Sequence, residues 1–186
     1  MENKEKEEPK EKDVKRGVKI VQLDMSLGGY HISKADPCAV AYDIVVPEDT
    51  WVPRGRSVIG TKLRMSLPIG VEGKIEARSG FSAKGIEGYP VNHFGRVNRN
   101  KKLRFDADVI TGKIDPGYHG EVGIIIRNNG RRFVVPAMTR LAQLTFYAFE
   151  KPYIRVVDQL TGYDRNGGFG HTGTTAKTSE KEESTD

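Results

Sequence analysis

The stretch Gly112-Lys113-Ile114-Asp115-Pro116-Gly117-Tyr118-His119-Gly120-Glu121 sets a carboxylic acid and a phenol three residues apart, in a turn bounded by glycines. A carboxylate within hydrogen-bond reach of a water can take its proton, so the chemistry on offer is general-base activation of a nucleophile. Ile110 precedes the turn and Val122 to Ile126 follow it, uncharged and rich in β-branched residues, which reads as strand, turn, buried strand. Asp115 then sits where a rigid sheet can hold a carboxylate still. Asp, Pro and Gly are also the ordinary residues of a surface turn, so the stretch alone leaves both readings open. Tyr118 is equally open to a plain role as a ring closing the core.

A second stretch, Gly168-Phe169-Gly170-His171-Thr172-Gly173, has one aromatic ring among glycines. Glycines let backbone amides approach phosphates, and the ring offers a face on which a base can stack, so the sharper reading is a lid over a nucleotide.

The elements that must position these groups are strands. Runs rich in Val, Ile, Phe and Tyr cover residues 18–23, 39–46, 56–67, 71–77, 103–110, 122–127, 132–135, 141–149 and 153–157, separated by turn residues. None sustains a 3.6-residue period, and glycine and proline interrupt too often for long helices. Asn128-Asn129-Gly130 between Ile126 and Phe133 predicts a hairpin, because these residues tolerate the positive φ of tight turns. An all-β sandwich, jelly roll or barrel follows, with no internal repeat.

Composition bounds the rest. The chain of 186 residues is 37% hydrophobic, enough for one good core. Residues 1–16 carry six acidic and six basic side chains, and residues 174–186 carry two lysines against four acids, so both ends read as disordered. Removing a neutral leader and a tail of net −2 from a chain of +5 leaves +7 on residues 17–173, which suits an anionic ligand. Cys38 is the only cysteine, which excludes an intramolecular disulfide and points to a reducing, intracellular compartment. The sequence has no apolar stretch near membrane-span length and reads as soluble. His31, His93, His119 and His171 lack ligand spacing.

Four further stretches join the opening one. They are Val40-Ala41-Tyr42-Asp43-Ile44; Pro68 with Gly70, Gly73 and then Ala77-Arg78-Ser79-Gly80-Phe81; Arg140-Leu141-Ala142-Gln143-Leu144; and Arg165 to Gly173. With Gly112 to Glu121 as the third of five ordered motifs, the chain resembles the homotrimeric dUTP pyrophosphatases, the dUTPases, over roughly residues 18–173. It departs from the usual pattern in lacking Ala-Gly before Tyr42-Asp43, in having Ala77 where a proline often stands, and in a fifth motif one residue short between Arg165 and Phe169.

The resemblance implies a distorted jelly roll with disordered charged termini: a leader over 1–17, a β domain over 18–160, a glycine-rich arm over 161–173 and a tail over 174–186. It implies hydrolysis of dUTP to dUMP and pyrophosphate, which limits uracil in DNA and supplies dUMP for dTMP synthesis. Asp115 would orient and deprotonate the water that attacks the α-phosphorus. Arg78, Ser79 and Gly80 would hold phosphates, and Tyr118 would pack against the deoxyribose and reject a 2′-hydroxyl. Main-chain groups of a hairpin before Gly112, among them Val109, Ile110 and Thr111, would read uracil. Gln143 would hold a phosphate oxygen or a metal-bound water, and Asp43 would reach Mg²⁺ through water. Phe169 and Gly170 would cover the base and Arg165 would clamp the γ-phosphate, on an arm shared between the subunits of a trimer.

Between Ser79 and Asp115 the chain is longer than typical members, with the excess about Gly88 to Leu103. Residues 89–105 hold five Lys or Arg and no acid. One reading is a solvated hairpin with charged edges; the other is a contact for nucleic acid or a regulatory protein, because aromatics interleaved with positive charge suit phosphates and bases. A dUTPase-like regulator acting through this segment is therefore a competing function. A dCTP deaminase, similar in fold, is less favoured, because Ile125 stands where that family needs a glutamate.

Overall fold

The computed structural model describes residues 24–28, 32–34, 36 and 38–162. In chain order its elements are β1 (Asp24–Ser26), β2 (Tyr42–Val45), β3 (Thr50–Val52), β4 (Gly55–Gly60), β5 (Arg64–Ser66), β6 (Val71–Ala77), α1 (Ser79–Lys84), β7 (Ile86–Pro90), β8 (Leu103–Phe105), β9 (Ala107–Ile110), β10 (Gly112–Ile114), β11 (Gly123–Asn128), β12 (Phe133–Val135) and β13 (Arg140–Ala148). Every pairing between these strands is antiparallel. The sheets run β10-β6-β13-β2, β4-β11-β9 and β3-β12-β7-β8, with a small β1-β5 pair. The fold is all-β, of jelly-roll type.

Alternation builds the core. Along β6, Val71, Gly73 and Ile75 are buried while Glu72 and Lys74 between them are not, so one face points inward and the other carries charge. Ile44, Ile75 and Leu144 from one sheet meet Ile59, Ile124 and Ile126 from the second and Val52, Ile86 and Phe133 from the third in one cluster. Phe105 stacks on Phe133 with ring centres 4.2 Å apart. Gly88 is needed here, because a Cβ in its place would lie 2.6 Å from the Phe133 ring and from the Val134 carbonyl oxygen.

The chain divides into two compact units, Met1–Lys151 and Pro152–Asp186. Every strand among the described residues lies in the first. In the second, residues 152–162 are exposed and hold no strand or helix, so the run expected as a strand over 153–157 is not one. Tyr153 and Val156 are 93% and 94% exposed, and branched residues without a partner strand do not make a sheet. The run at 18–23 lies outside the described residues.

The expected hairpin at Asn128-Asn129-Gly130 is also corrected. β11 pairs with β4 and β9, whereas β12 pairs with β3 and β7, so the chain changes sheets here, and none of the three residues has positive φ. Asn128 makes the corner: buried, its amide nitrogen reaches the carbonyls of Val52, Pro53 and Arg131 at 3.4, 3.0 and 3.1 Å, and its Oδ1 accepts from Gly130 N at 3.0 Å. Asn128→Ala strands these buried carbonyls and is expected to cost about 2–3 kcal/mol, read as a lowered urea midpoint at unchanged m-value; a loss under about 0.5 kcal/mol would deny the corner this role.

Residues 88–103 hang from a ladder whose pairs are Ile86 with Phe105, Glu87 with Arg104 and Gly88 with Leu103. Their tip is tied down. Arg132 donates to the carbonyls of Asn92 and His93 at 3.1 and 3.0 Å, and Arg99 pairs with Asp49 at 2.6 Å. The Ala137 amide, first, and the Arg99 guanidinium, second, hold the Asp49 carboxyl below its ordinary value of 3.8. A carboxyl lowered by folding stabilises the folded state above its unfolded value and loses that contribution as pH falls through the folded one. Asp49→Asn is accordingly expected to be less stable than the parent at pH 7, with the gap closing as pH drops below 3.8, followed by chemical denaturation at each pH. A gap independent of pH would show that the charge of Asp49 does not matter.

Candidate functional site

A groove of about 450 Å³ is bounded by Asp43 of β2, Gln143 of β13 and the Arg78-Ser79-Gly80 segment that joins β6 to α1. β13 pairs with both β2 and β6, and the register sets Gln143 beside Asp43 on one side and Glu76 on the other. Three segments distant in sequence are thereby locked side by side.

Arg78 stands between β6 and the helix, at the N-cap position. Its backbone is extended (φ −76, ψ 136) and its carbonyl accepts the amides of Phe81 and Ser82 at 2.9 and 3.0 Å, so its side chain has no capping duty. Arg78 Nε instead lies 2.9 Å from Asp43 Oδ1, and its Nη1 donates to the Arg140 carbonyl at 3.2 Å. Arg140 Nη1 meets the other carboxylate oxygen of Asp43, Oδ2, at 3.2 Å. A break in register after Arg140 explains the reach: Arg140 stands opposite Val45 but Ala142 opposite Ile44, and the extra residue lets both Leu141 and Ala142 be buried while Arg140 stays outside. Asp43, 5% exposed, thus holds two guanidiniums at fixed positions.

The same observation defines what cation could bind. Among the described residues no three His, Cys, Asp or Glu side chains are placed to hold a metal. Asp43 has one guanidinium on each oxygen, and an ionised carboxylate accepts about four hydrogen bonds. It therefore has capacity left for a water but no claim on an inner-sphere ion. The donor set fits a hydrated Mg²⁺ that arrives on phosphates.

The Asp115 turn is a separate cluster. Tyr118 N donates to the Asp115 carbonyl at 3.0 Å, and Tyr118 Oη donates to the Glu121 carbonyl at 2.7 Å. The ring lies over Gly120, where a Cβ would fall 2.7 Å from it. Glu121 anchors the turn by accepting the Lys62 amide at 2.9 Å, with Lys62 itself at φ 59. Tyr118 is 46% exposed, so it does not close the core, and Asp115 is exposed beside it.

Groove and turn do not meet within one chain. β10, which leads into Asp115, runs antiparallel to β6 with Ile114 opposite Gly73, so Asp115 lies beyond Gly73 on the side away from Arg78. At 3.3 Å per residue the backbones of Asp115 and Arg78 are roughly 20 Å apart along the strand.

Val109, Ile110, Thr111 and Gly112 differ from the expected hairpin. β9 pairs with β11, β10 pairs with β6, and the chain changes sheets at Thr111. Among the described residues β9 is consequently an edge strand whose second row of backbone groups is outside its ladder. Ile125 sits half-buried between Ile110 and Val58 on the neighbouring strands, an apolar setting. Arg165, Phe169 and Gly170 lie outside the described residues. Sequence reasoning gave no role to Arg140, although it opens the fourth motif, nor to Lys84, and it read Arg104 only among the basic residues of 89–105; Lys84 and Arg104 both line the groove.

The dUTPase family model matches residues 30–100 and 93–173 of this chain. The deoxyuridine 5′-triphosphate nucleotidohydrolase of Variola virus is 34% identical over 144 residues, covering 76% of this chain and 84% of that protein. The protein of the same name from Syntrophotalea carbinolica is 34% identical over 142 residues, 74% of this chain and 84% of that one. Among solved structures, the Staphylococcus bacteriophage 80alpha dUTPase with dUPNHPP superposes with a TM-score of 0.67 at 22% identity, covering 82% of this chain and 99% of that chain. A mutant dUTPase from phage phi11 of S. aureus, described for its structural Mg(II) ion, gives 0.60 at 22% identity over 75% and 98%. At that identity the structures speak for the fold alone, whereas the sequence matches reach further: this chain belongs to the dUTPase family.

Proposed function

We infer that the chain hydrolyses dUTP to dUMP and pyrophosphate with Mg²⁺, as a homotrimer. The observation that carries this is the groove in which Asp43 and Arg140 fix Arg78 beside Ser79, Gly80 and Gln143. It is a preorganised cationic cradle, and phosphoryl transfer depends chiefly on positioning and on stabilising charge. In it the Arg78 guanidinium binds phosphate oxygens and the Ser79 hydroxyl donates toward the bridging oxygen that leaves. Gln143 holds a further phosphate oxygen or a metal-bound water. Asp43 and Gln143 would hold Mg²⁺ through water, and the ion would supply positive charge against the triphosphate.

Asp115 takes the proton of the attacking water and Tyr118 walls off the sugar. The free edge of β9 up to Thr111 and Gly112 supports main-chain reading of uracil. Phe169 and Gly170 cover the base, and Arg165 reaches the terminal phosphate. Because Asp115 is roughly 20 Å along β6 from Arg78, the water must be activated by Asp115 of another copy, which is what supports a trimer with shared sites. A mass measurement in solution tests the trimer directly.

Pyrophosphate release from dUTP, compared with dCTP, dTTP and UTP, tests the activity. Release from dUTP alone is expected; equal release from UTP would remove Tyr118 as the sugar filter, and no release from any would favour a nucleotide-binding regulator. For residues 88–103 the ion pairs of Arg99 with Asp49 and Lys102 with Glu87 favour a structural role over a nucleic-acid or protein contact. Single-stranded DNA binding that disappears on neutralising Arg99, Lys101 and Lys102 would reverse that. Among the described residues no helix is long and apolar enough to cross a membrane. An intracellular location rests on the lone, exposed Cys38.

A further inference from the structure

We propose that Lys84 and Arg104 form a second phosphate clamp, which binds the β- and γ-phosphates of the substrate; the inference rests on the dUTP reading above. Both line the groove that holds Arg78, Ser79 and Gln143. They come from different places. Lys84 ends α1, five residues and about 7.5 Å of helix beyond Ser79 at 1.5 Å per residue. Arg104 belongs to β8, the strand on which residues 88–103 return to the body of the fold.

The charges are arranged for a polyanion. Asp43 offsets only one of the two guanidinium charges beside it, those of Arg78 and Arg140, and Lys84 has no carboxylate partner among the described residues. Arg104 is steadied by a bond from its Nη1 to the Gly85 carbonyl at 3.2 Å, which holds it against the end of the same helix. Its only carboxylate neighbour among the described residues is Glu87, at 3.6 Å. Glu87 is shared with Lys102, at 3.7 Å, so Arg104 can turn to a phosphate without leaving Glu87 uncompensated. A triphosphate whose α end sits at Arg78 and Ser79 would carry its remaining charge toward these two cations.

The arrangement also gives residues 88–103 a purpose. The ladder that supports them pairs Glu87 with Arg104, so their base lies at the rim of the groove, and tying down their tip fixes the strand that carries Arg104. The folded body thereby supplies charge for the phosphate tail apart from the fifth motif, whose arginine-to-phenylalanine spacing is one residue short.

The test is isothermal titration of the full chain, with Mg²⁺, using α,β-imido-dUTP and dUMP as probes. For the double variant Lys84→Gln, Arg104→Gln, affinity for the imido analogue is expected to fall tenfold or more, about 1.4 kcal/mol or more, while affinity for dUMP is unchanged. Arg104→Lys, which keeps the charge, should retain most of the affinity for the analogue. Unchanged analogue binding by the double variant would overturn the clamp. Equal losses for both ligands would also overturn it, by showing damage to the groove in place of a lost contact to the outer phosphates. If the parent chain binds neither probe, the dUTP reading itself falls and the clamp with it; parent binding with an unaffected double variant removes the clamp alone.

Discussion

Asp115→Asn is expected to lower turnover of dUTP by roughly 100- to 10,000-fold, the range that loss of a positioned general base produces. The amide is nearly isosteric but cannot take the proton of the attacking water. The Michaelis constant should move far less, because on the proposed reading the phosphates are held by Arg78, Ser79 and Gln143 and not by Asp115. Stability should hold as well. The Asp115 side chain is exposed, and the turn is fixed by other bonds, from Tyr118 Oη to Glu121 and from Lys62 N to Glu121. Single-turnover measurement at saturating dUTP reads the chemical step. A variant within about tenfold of the parent would place the base elsewhere.

Equimolar mixing of Asp115→Asn chains with Arg78→Ala chains, each inactive alone, is expected to restore turnover once subunits exchange. The reason is the β6–β10 register. Ile114 faces Gly73, so a chain cannot fold Asp115 back onto its own Arg78 without breaking that ladder. In a mixed assembly some sites take an intact Arg78 from one chain and an intact Asp115 from another. Such sites should behave as the parent, so recovered activity should keep the parent Michaelis constant with a reduced maximal rate. Arg78→Ala alone should be severely impaired, since it empties the cradle that Asp43 and Arg140 build. Mixtures that stay inactive after verified exchange would mean that Asp115 and Arg78 serve one site from one chain.

Much of the fold was legible in local pattern. Residues 71–77 read as a strand and form one, because alternation of apolar and charged side chains is set by the pleat. The runs over 39–46, 122–127, 132–135 and 141–149 contain or overlap β2, β11, β12 and β13. Expectations failed where the chain changes sheets. Residues 56–67 and 103–110 each look continuous, yet split at Lys62 and Asp106, and Asn128 turns a corner with a buried side chain where a hairpin over 128–130 was expected. A corner and a hairpin draw on the same small polar residues, so composition cannot separate them. The apolar run at 153–157 failed for the opposite reason: strand-forming residues were present and a partner was not.

Residue types and their order along the chain are enough to show which groups could do the chemistry. Asp115 beside Tyr118, Arg78 before Ser79 and Gln143 after Arg140 are local facts, and ordered motifs carry them to a family without any coordinates. Which of these groups share a space follows from strand pairing. Antiparallel register fixes separation along a strand to the residue, and it sets Gln143 beside Asp43 while sending Asp115 away from Arg78. It also brings Arg104, on a returning strand, to the end of the helix that carries Lys84. Pairing partners of a strand are chosen by the packing of the whole core, so no window of sequence could have shown which cations would face the groove.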